Sequence, residues 1–143
     1  MATIRPFKGF RPTPELCSKV AALPYDVMTS KEAREMVKND PYSFLHVDRA
    51  EIDLPENVDI YSKEVYEKAA SNLNKMIEDK VLIQDSKPVF YIYSLTMNGR
   101  EQIGLVVCTS IDEYLNNTIK KHEFTRADKE QDRINHVDYC NAN

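Results

Sequence analysis

Along the chain, Ala33, Met36 and Val37 recur at helical spacing, and Thr29 stands three residues before Glu32, the arrangement of a capping box. A helix is expected there. Asn39-Asp40-Pro41 should stop it, because the residue before a proline avoids the α region. Ser43-Phe44-Leu45-His46-Val47 then reads as a short strand. Residues 48–58 carry Asp48, Glu51, Asp53 and Glu56 and read as a solvated acidic loop. The strongest periodicity follows. Tyr61, Val65, Ala69, Leu73, Met76 and Ile77 make one apolar stripe, with Lys63, Glu64, Glu67, Lys68 and Lys75 mostly elsewhere.

The period then changes to two. Val89–Met97 is β-branched and aromatic, Asn98-Gly99 suits the positive φ values of a type I′ turn, and Arg100–Ser110 returns. A two-residue loop sets Tyr93 opposite Gly104, Tyr91 opposite Val106, Ile92 opposite Leu105 and Phe90 opposite Val107. Gly104 would leave room for the Tyr93 ring. Both faces are apolar, so the hairpin is expected inside a larger sheet, with Tyr91 and Tyr93 in the core. A final helix should run from about Arg126 to Cys140, capped by Thr125, with Asp128 in its first turn. Residues 1–28 hold Pro6, Gly9, Pro12, Pro14 and Pro24, with short apolar pieces around Ile4–Phe10 and Val20–Leu23, and read as irregular with one short strand. The expected fold class is α+β: a mixed or antiparallel sheet containing a β-hairpin at about 89–110, with about three helices packed mainly on one face. Residues 1–143 suit a single domain.

Composition narrows the function classes. Of 143 residues, 42% are hydrophobic and 29% charged, ordinary values for a soluble globular chain. With 19 Lys+Arg against 23 Asp+Glu, the net charge of −4 argues against non-specific nucleic-acid binding. No apolar run is long enough to span a bilayer, and no secretory signal is visible, so no membrane partner is expected. Cys17, Cys108 and Cys140 are odd in number and scattered, which favours a reducing, cytoplasmic compartment. No metal-ligand spacing is present. Walker A, dinucleotide-binding and nucleophile-elbow motifs are absent.

Three stretches could carry chemistry. On a helix from 126, Arg126, Lys129, Arg133 and His136 fall within one face about 80° wide, with Asp128 and Asp132 expected on the opposite side. Ala127, Ile134 and Val137 lie beside this basic stripe, so the cations should border the core. Arginine donates in a planar fork that suits phosphate or carboxylate, and lysine adds a point charge. Just upstream, Glu123 could act as a general base or a metal-binding carboxylate, and His122 as a proton shuttle. The alternative is a solvated, salt-bridged helix. In Leu23-Pro24-Tyr25-Asp26-Val27, Tyr25 and Asp26 could face a ligand from a proline-fixed loop, or form an Asx-type turn with a packed ring. His46 could meet a ligand or be a hydrogen-bonded structural histidine.

The segments I-R-P-F-K-G-F-R-P at 4–12, L-P-Y-D-V at 23–27, N-D-P-Y-S-F-L-H-V at 39–47, E-I-D-L-P at 51–55 and K-K-H-E-F-T-R-A-D-K-E-Q-D-R at 120–133 stand in order. Together they resemble the family catalogued as domain of unknown function 1015. Its proteins are several hundred residues long, and their later half carries an Asp-Gly-His-His-Arg signature similar to that of the ParB/sulfiredoxin-like superfamily. This chain lacks that signature, so the resemblance implies the N-terminal part of a longer protein, whose missing C-terminal part is a further partner.

For the full-length protein, the resemblance implies an ATP-dependent small-molecule kinase using ATP and Mg2+, with free L-serine as the substrate. The part in hand should be inactive alone. Matched positions are Pro24, Tyr25 and Asp26 in the proline-tyrosine-aspartate motif. In the lysine-lysine-histidine-glutamate block they are His122, Glu123, Arg126, Asp128, Lys129, Asp132 and Arg133. Ala127 stands where the family often has proline, and either suits a first helical turn. On this reading Glu123 and His122 are catalytic, Arg126, Lys129, Arg133 and His136 bind phosphate, and Tyr25 and Asp26 bind substrate. The alternatives are a nucleotide-responsive DNA-associated regulatory module and a non-catalytic interaction domain. An exposed sheet edge would also allow a homodimer.

Overall fold

The computed structural model describes residues 2–121 and 126–142, apart from the side chain of Asp128. In chain order the elements are β1 (Ile4–Arg5), β2 (Phe10–Pro12), α1 (Cys17–Val20), α2 (Ser30–Val37), α3 (Leu45–Asp48), a 3-10 turn (Ala50–Asp53), α4 (Lys63–Glu78), β3 (Leu82–Gln84), β4 (Tyr91–Met97), β5 (Arg100–Val106), β6 (Cys108–Thr109), α5 (Ile111–Leu115) and α6 (Ala127–Cys140). The fold class is α+β, as expected, with several short antiparallel ladders. The chain forms two compact units: a hairpin unit, Met1–Arg11 with Gln84–Phe124, and a helical unit, Pro12–Ile83 with Thr125–Asn143.

The helical unit is organised on α4, whose apolar stripe buries Val65, Ala69, Leu73 and Met76, whereas Tyr61, read as the start of that stripe, precedes the helix and is exposed. One side of the core joins Val20, Val47, Leu73, Met76, Val81 and Leu82. A second cluster joins Ala33, Val37, Leu45 and Ile52. Helix α2 starts on the expected capping box: Thr29 accepts from the Glu32 amide, and the Glu32 carboxylate accepts from the Thr29 amide at 2.8 Å. Ala33 and Val37 face inward, but Met36, read as part of that face, is 51% exposed.

Residues 43–47 are not a strand. Phe44 starts α3, and its amide donates to the Val20 carbonyl at 3.0 Å, tying the turn to the end of α1. Leu45 packs with Ala33, Val37 and Ile52, whereas Val47 packs with Val20 and Leu73. A single helical turn wedged between two apolar clusters buries residues two apart. In sequence that pattern imitates strand alternation. The acidic loop is also ordered. Arg34 donates from its guanidinium to the carbonyls of Glu51 and Leu54 at 2.7 and 2.8 Å, and to that of Ile52.

In the hairpin unit, β4 and β5 pair in the expected register, Tyr91↔Val106, Ile92↔Leu105 and Tyr93↔Gly104. Asn98 and Gly99 both take positive φ, 51° and 76°, at the turn. The ladder has two strands among the described residues and does not lie within a wider sheet. Tyr93, expected in the core, is 60% exposed, and Ile92, Leu95, Ile103 and Leu105 are exposed as well. Gly104 is not reserved for the Tyr93 ring: a Cβ there would find the Tyr93 carbonyl oxygen at 3.8 Å, an ordinary contact. Gly9 is the glycine that its surroundings demand, since a Cβ would meet the Tyr91 hydroxyl at 2.8 Å. That hydroxyl accepts from the Gly9 amide at 2.6 Å and donates to Asp85. The Arg11 guanidinium, together with Tyr91, lowers the Asp85 carboxyl to about 2.

Candidate functional site

A cleft in the helical unit forms where the Tyr25 loop, α3, the 3-10 turn and the start of α4 face α6, with a free volume of about 50 Å3. Its enclosed part is small and the cleft opens to solvent, so one charged end of a ligand can enter while the rest stays outside.

Helix α6 supplies one wall. Arg133 donates to Asp132 at 2.9 Å, and its guanidinium carbon lies 4.3 Å from the centre of the Tyr25 ring, a cation–π arrangement. Asp132 is buried and accepts from the Tyr66 hydroxyl at 2.9 Å. Burial raises the Tyr66 hydroxyl, and its bond to Asp132 holds the proton further. Lys129 donates to the Tyr61 hydroxyl at 2.9 Å. His136 Nε2 lies 3.0 Å from the Val47 carbonyl, which can only accept, so that nitrogen carries the proton.

Opposite, Arg49 donates to the Tyr25 carbonyl at 3.0 Å and to the Ser30 hydroxyl at 2.9 Å, and it pairs with buried Glu51. Ser30 donates onward to Glu51 at 2.8 Å. Asp48 ends α3 and lines the same cleft. Burial raises its pKa, with the charges of His136 and Arg133 acting against that rise. Burial also raises the Cys140 thiol, and the Asp48 charge adds to it.

Of the residues singled out in the sequence, Tyr25, Lys129, Arg133 and His136 come together here. Asp26 is exposed and does not line the cleft, and neither does exposed Arg126, the N-cap of α6. His122, Glu123 and Thr125 lie outside the described residues, as does the side chain of Asp128. Asp132 does not sit opposite the basic stripe; it is buried and bonded to Arg133. At 100° per residue it stands about 40° from His136, so the helical wheel itself carried that signal. The inward face of α6 is its charged one, whereas Ile134 and Val137 are exposed. The reading of residues 48–58 as solvated missed Asp48, Arg49 and Glu51, whose burial depends on contacts distant in sequence. Among the described residues, no group of three or more His, Cys, Asp or Glu side chains could hold a metal ion.

Outside the cleft lining, a histidine ties α3 to the 3-10 turn. His46 Nδ1 lies 2.8 Å from Asp53 and Nε2 lies 3.2 Å from the Asp40 carbonyl. Both partners are acceptors, which favours the doubly protonated ring. The bond to Asp53 raises the His46 pKa above 6.5. Burial tends to raise Asp53, but bonds from His46 and Asn72 and the Lys68 charge hold it below its ordinary value. The His46 contribution to stability is therefore complete below about pH 6.5 and lost as pH rises through the higher folded value. The Asp53 contribution is present above about pH 4 and lost on acidification. Urea titrations from pH 5.5 to 8.5 should show the advantage of the native chain over His46→Gln shrinking as pH rises; an advantage that grows would refute the pairing.

No helix among the described residues is long and apolar enough to cross a membrane. No curated protein and no solved structure matches the chain. Residues 4–143 match the family described as "Protein of unknown function (DUF1015)", and the chain belongs to that family.

Proposed function

We propose that the helical unit binds the anionic group, phosphate or carboxylate, of a small molecule. The observation that carries this reading is the convergence of Lys129, Arg133 and His136 with Tyr25 on one small cleft. Arg49 and Glu51 brace the wall opposite. Partial burial reduces screening, so each cation acts more strongly on an anion here than it would in open solvent.

Within the family resemblance, this cleft serves an ATP-dependent small-molecule kinase, with L-serine as the substrate of the full-length protein. Phosphoryl transfer asks mainly for positioning and charge neutralisation, which Arg133 and Lys129 can provide. Among the described residues there is no cluster of three or more metal-ligating side chains, so any magnesium would depend mainly on the phosphates of ATP.

Thermal shift and calorimetry with inorganic phosphate, ATP, ADP and L-serine test the site, because a ligand of the folded state raises the melting temperature by mass action. Lys129→Ala is expected to weaken phosphate binding about tenfold, with Arg133→Gln as a second arm. Phosphate binding unchanged in both variants would remove the reading. A second reading, an interaction module, is favoured by the exposed apolar residues on both faces of the β4–β5 hairpin.

A further inference from the structure

Three carboxylates line the cleft, and two of them are answered by protein groups. Asp132 accepts from Tyr66 and Arg133, and Glu51 accepts from Ser30 and pairs with Arg49. The Asp48 carboxylate receives no hydrogen bond or ion pair from the described residues. It nevertheless lines the cleft with Arg133 and His136 and is half-buried there.

Apart from His136, the formal charges of the described lining side chains balance. Arg49, Lys129 and Arg133 stand against Asp48, Glu51 and Asp132. An anion alone would add a second negative charge near Asp48, which has no hydrogen-bond partner of its own among the described residues. A ligand that brings its own cation would offset that charge.

We propose that Asp48 is a specificity-determining residue that receives the ammonium group of a zwitterionic ligand whose anionic end lies against Arg133 and Lys129. The ligand class is a short primary amine joined to a phosphate or a carboxylate. The inference rests on the anion site proposed above and adds its selectivity. A charge-assisted bond from an ammonium to a half-buried carboxylate is stronger than a neutral one, and it is unavailable to the same anion without the amine.

The test uses matched probes that differ by the amine: O-phosphoethanolamine against ethyl phosphate, and glycine against acetate. Calorimetry on the native chain should show the amine-bearing member of at least one pair binding about tenfold tighter or more; the pair that responds identifies the anionic end. Asp48→Asn should bring that ratio close to one, and ethyl phosphate or acetate, relieved of a nearby like charge, should bind no more weakly than to the native chain. Asp48→Glu, which keeps the charge, should retain most of the preference, so the proposal remains testable if the asparagine variant folds poorly. Equal binding of both members of each pair, or a preference that survives Asp48→Asn, overturns the role of Asp48 and leaves the anion site standing. No binding of any probe overturns both.

Discussion

Leu45→Ala should lower the free energy of unfolding by about 2–5 kcal/mol, the range for emptying a buried leucine site. Leu45 is 1% exposed and, with Val47, is one of the largest fully buried side chains. It joins α3 to Ala33 and Val37 of α2 and to Ile52 of the 3-10 turn. These are backbone-anchored elements that cannot all close on a cavity, so the upper part of the range is expected. A domain of ordinary stability holds about 5–15 kcal/mol in total, so the loss would be a large share of it. Urea denaturation followed by tyrosine fluorescence provides the measurement, since the chain has no tryptophan. Met36→Ala on α2 is the control; its exposed side chain should cost under about 0.5 kcal/mol. The two variants separate the position that faces the core from one that helical periodicity alone would group with it. Anion affinity should fall in Leu45→Ala as well, because α3 carries Asp48 and the Val47 carbonyl that holds His136.

Sequence was most informative where structure is local. The capping box at Thr29 and Glu32, the stripe of α4 and the hairpin register each depend on neighbours a few residues away, and each is observed. It misled where tertiary contacts decide. Leu45 and Val47 lie two apart because a short helix touches two clusters, and strand and helix share that signature over so few residues. Helix α6 turns its charged side inward because Tyr66, Tyr25 and the Val47 carbonyl provide partners for Asp132, Arg133 and His136. A hydrophobicity pattern contains no term for such partners and therefore assigned Ile134 and Val137 to the buried side. The basic stripe was legible as a stripe, and Tyr25 as a loop residue that could meet it. The carboxylates among the cations were not, because Asp48 and Glu51 owe their burial to α2, α4 and α6, all distant in sequence. The exposed apolar hairpin shows the converse: its register follows from its turn, but nothing local specifies what lies against its faces.

Arg34→Leu should cost about 2–4 kcal/mol, although the side chain it removes carries a charge on a helix that is otherwise largely exposed. The guanidinium caps the carbonyls of Glu51, Ile52 and Leu54 together, and its planar array of donors is what allows one residue to serve all three. Leucine keeps the apolar stem and leaves those acceptors without their donor, and each partly buried carbonyl then bears a desolvation penalty. Arg34→Lys should recover only part of the loss, since a point charge cannot reach three diverging oxygens. A melting temperature lowered by roughly 10 °C is the expected thermal result for a chain of this size. Hydrogen exchange localises the effect: the Ile52 and Leu54 amides, which donate to Arg49 and Glu51 within the turn, should lose protection first. If those amides keep their protection while the melting temperature falls, the loss lies elsewhere and Arg34 is not what fixes the turn. If they open together with weaker anion binding, Arg34 holds the cleft in shape through Glu51, which is buried behind Arg49 and Ser30.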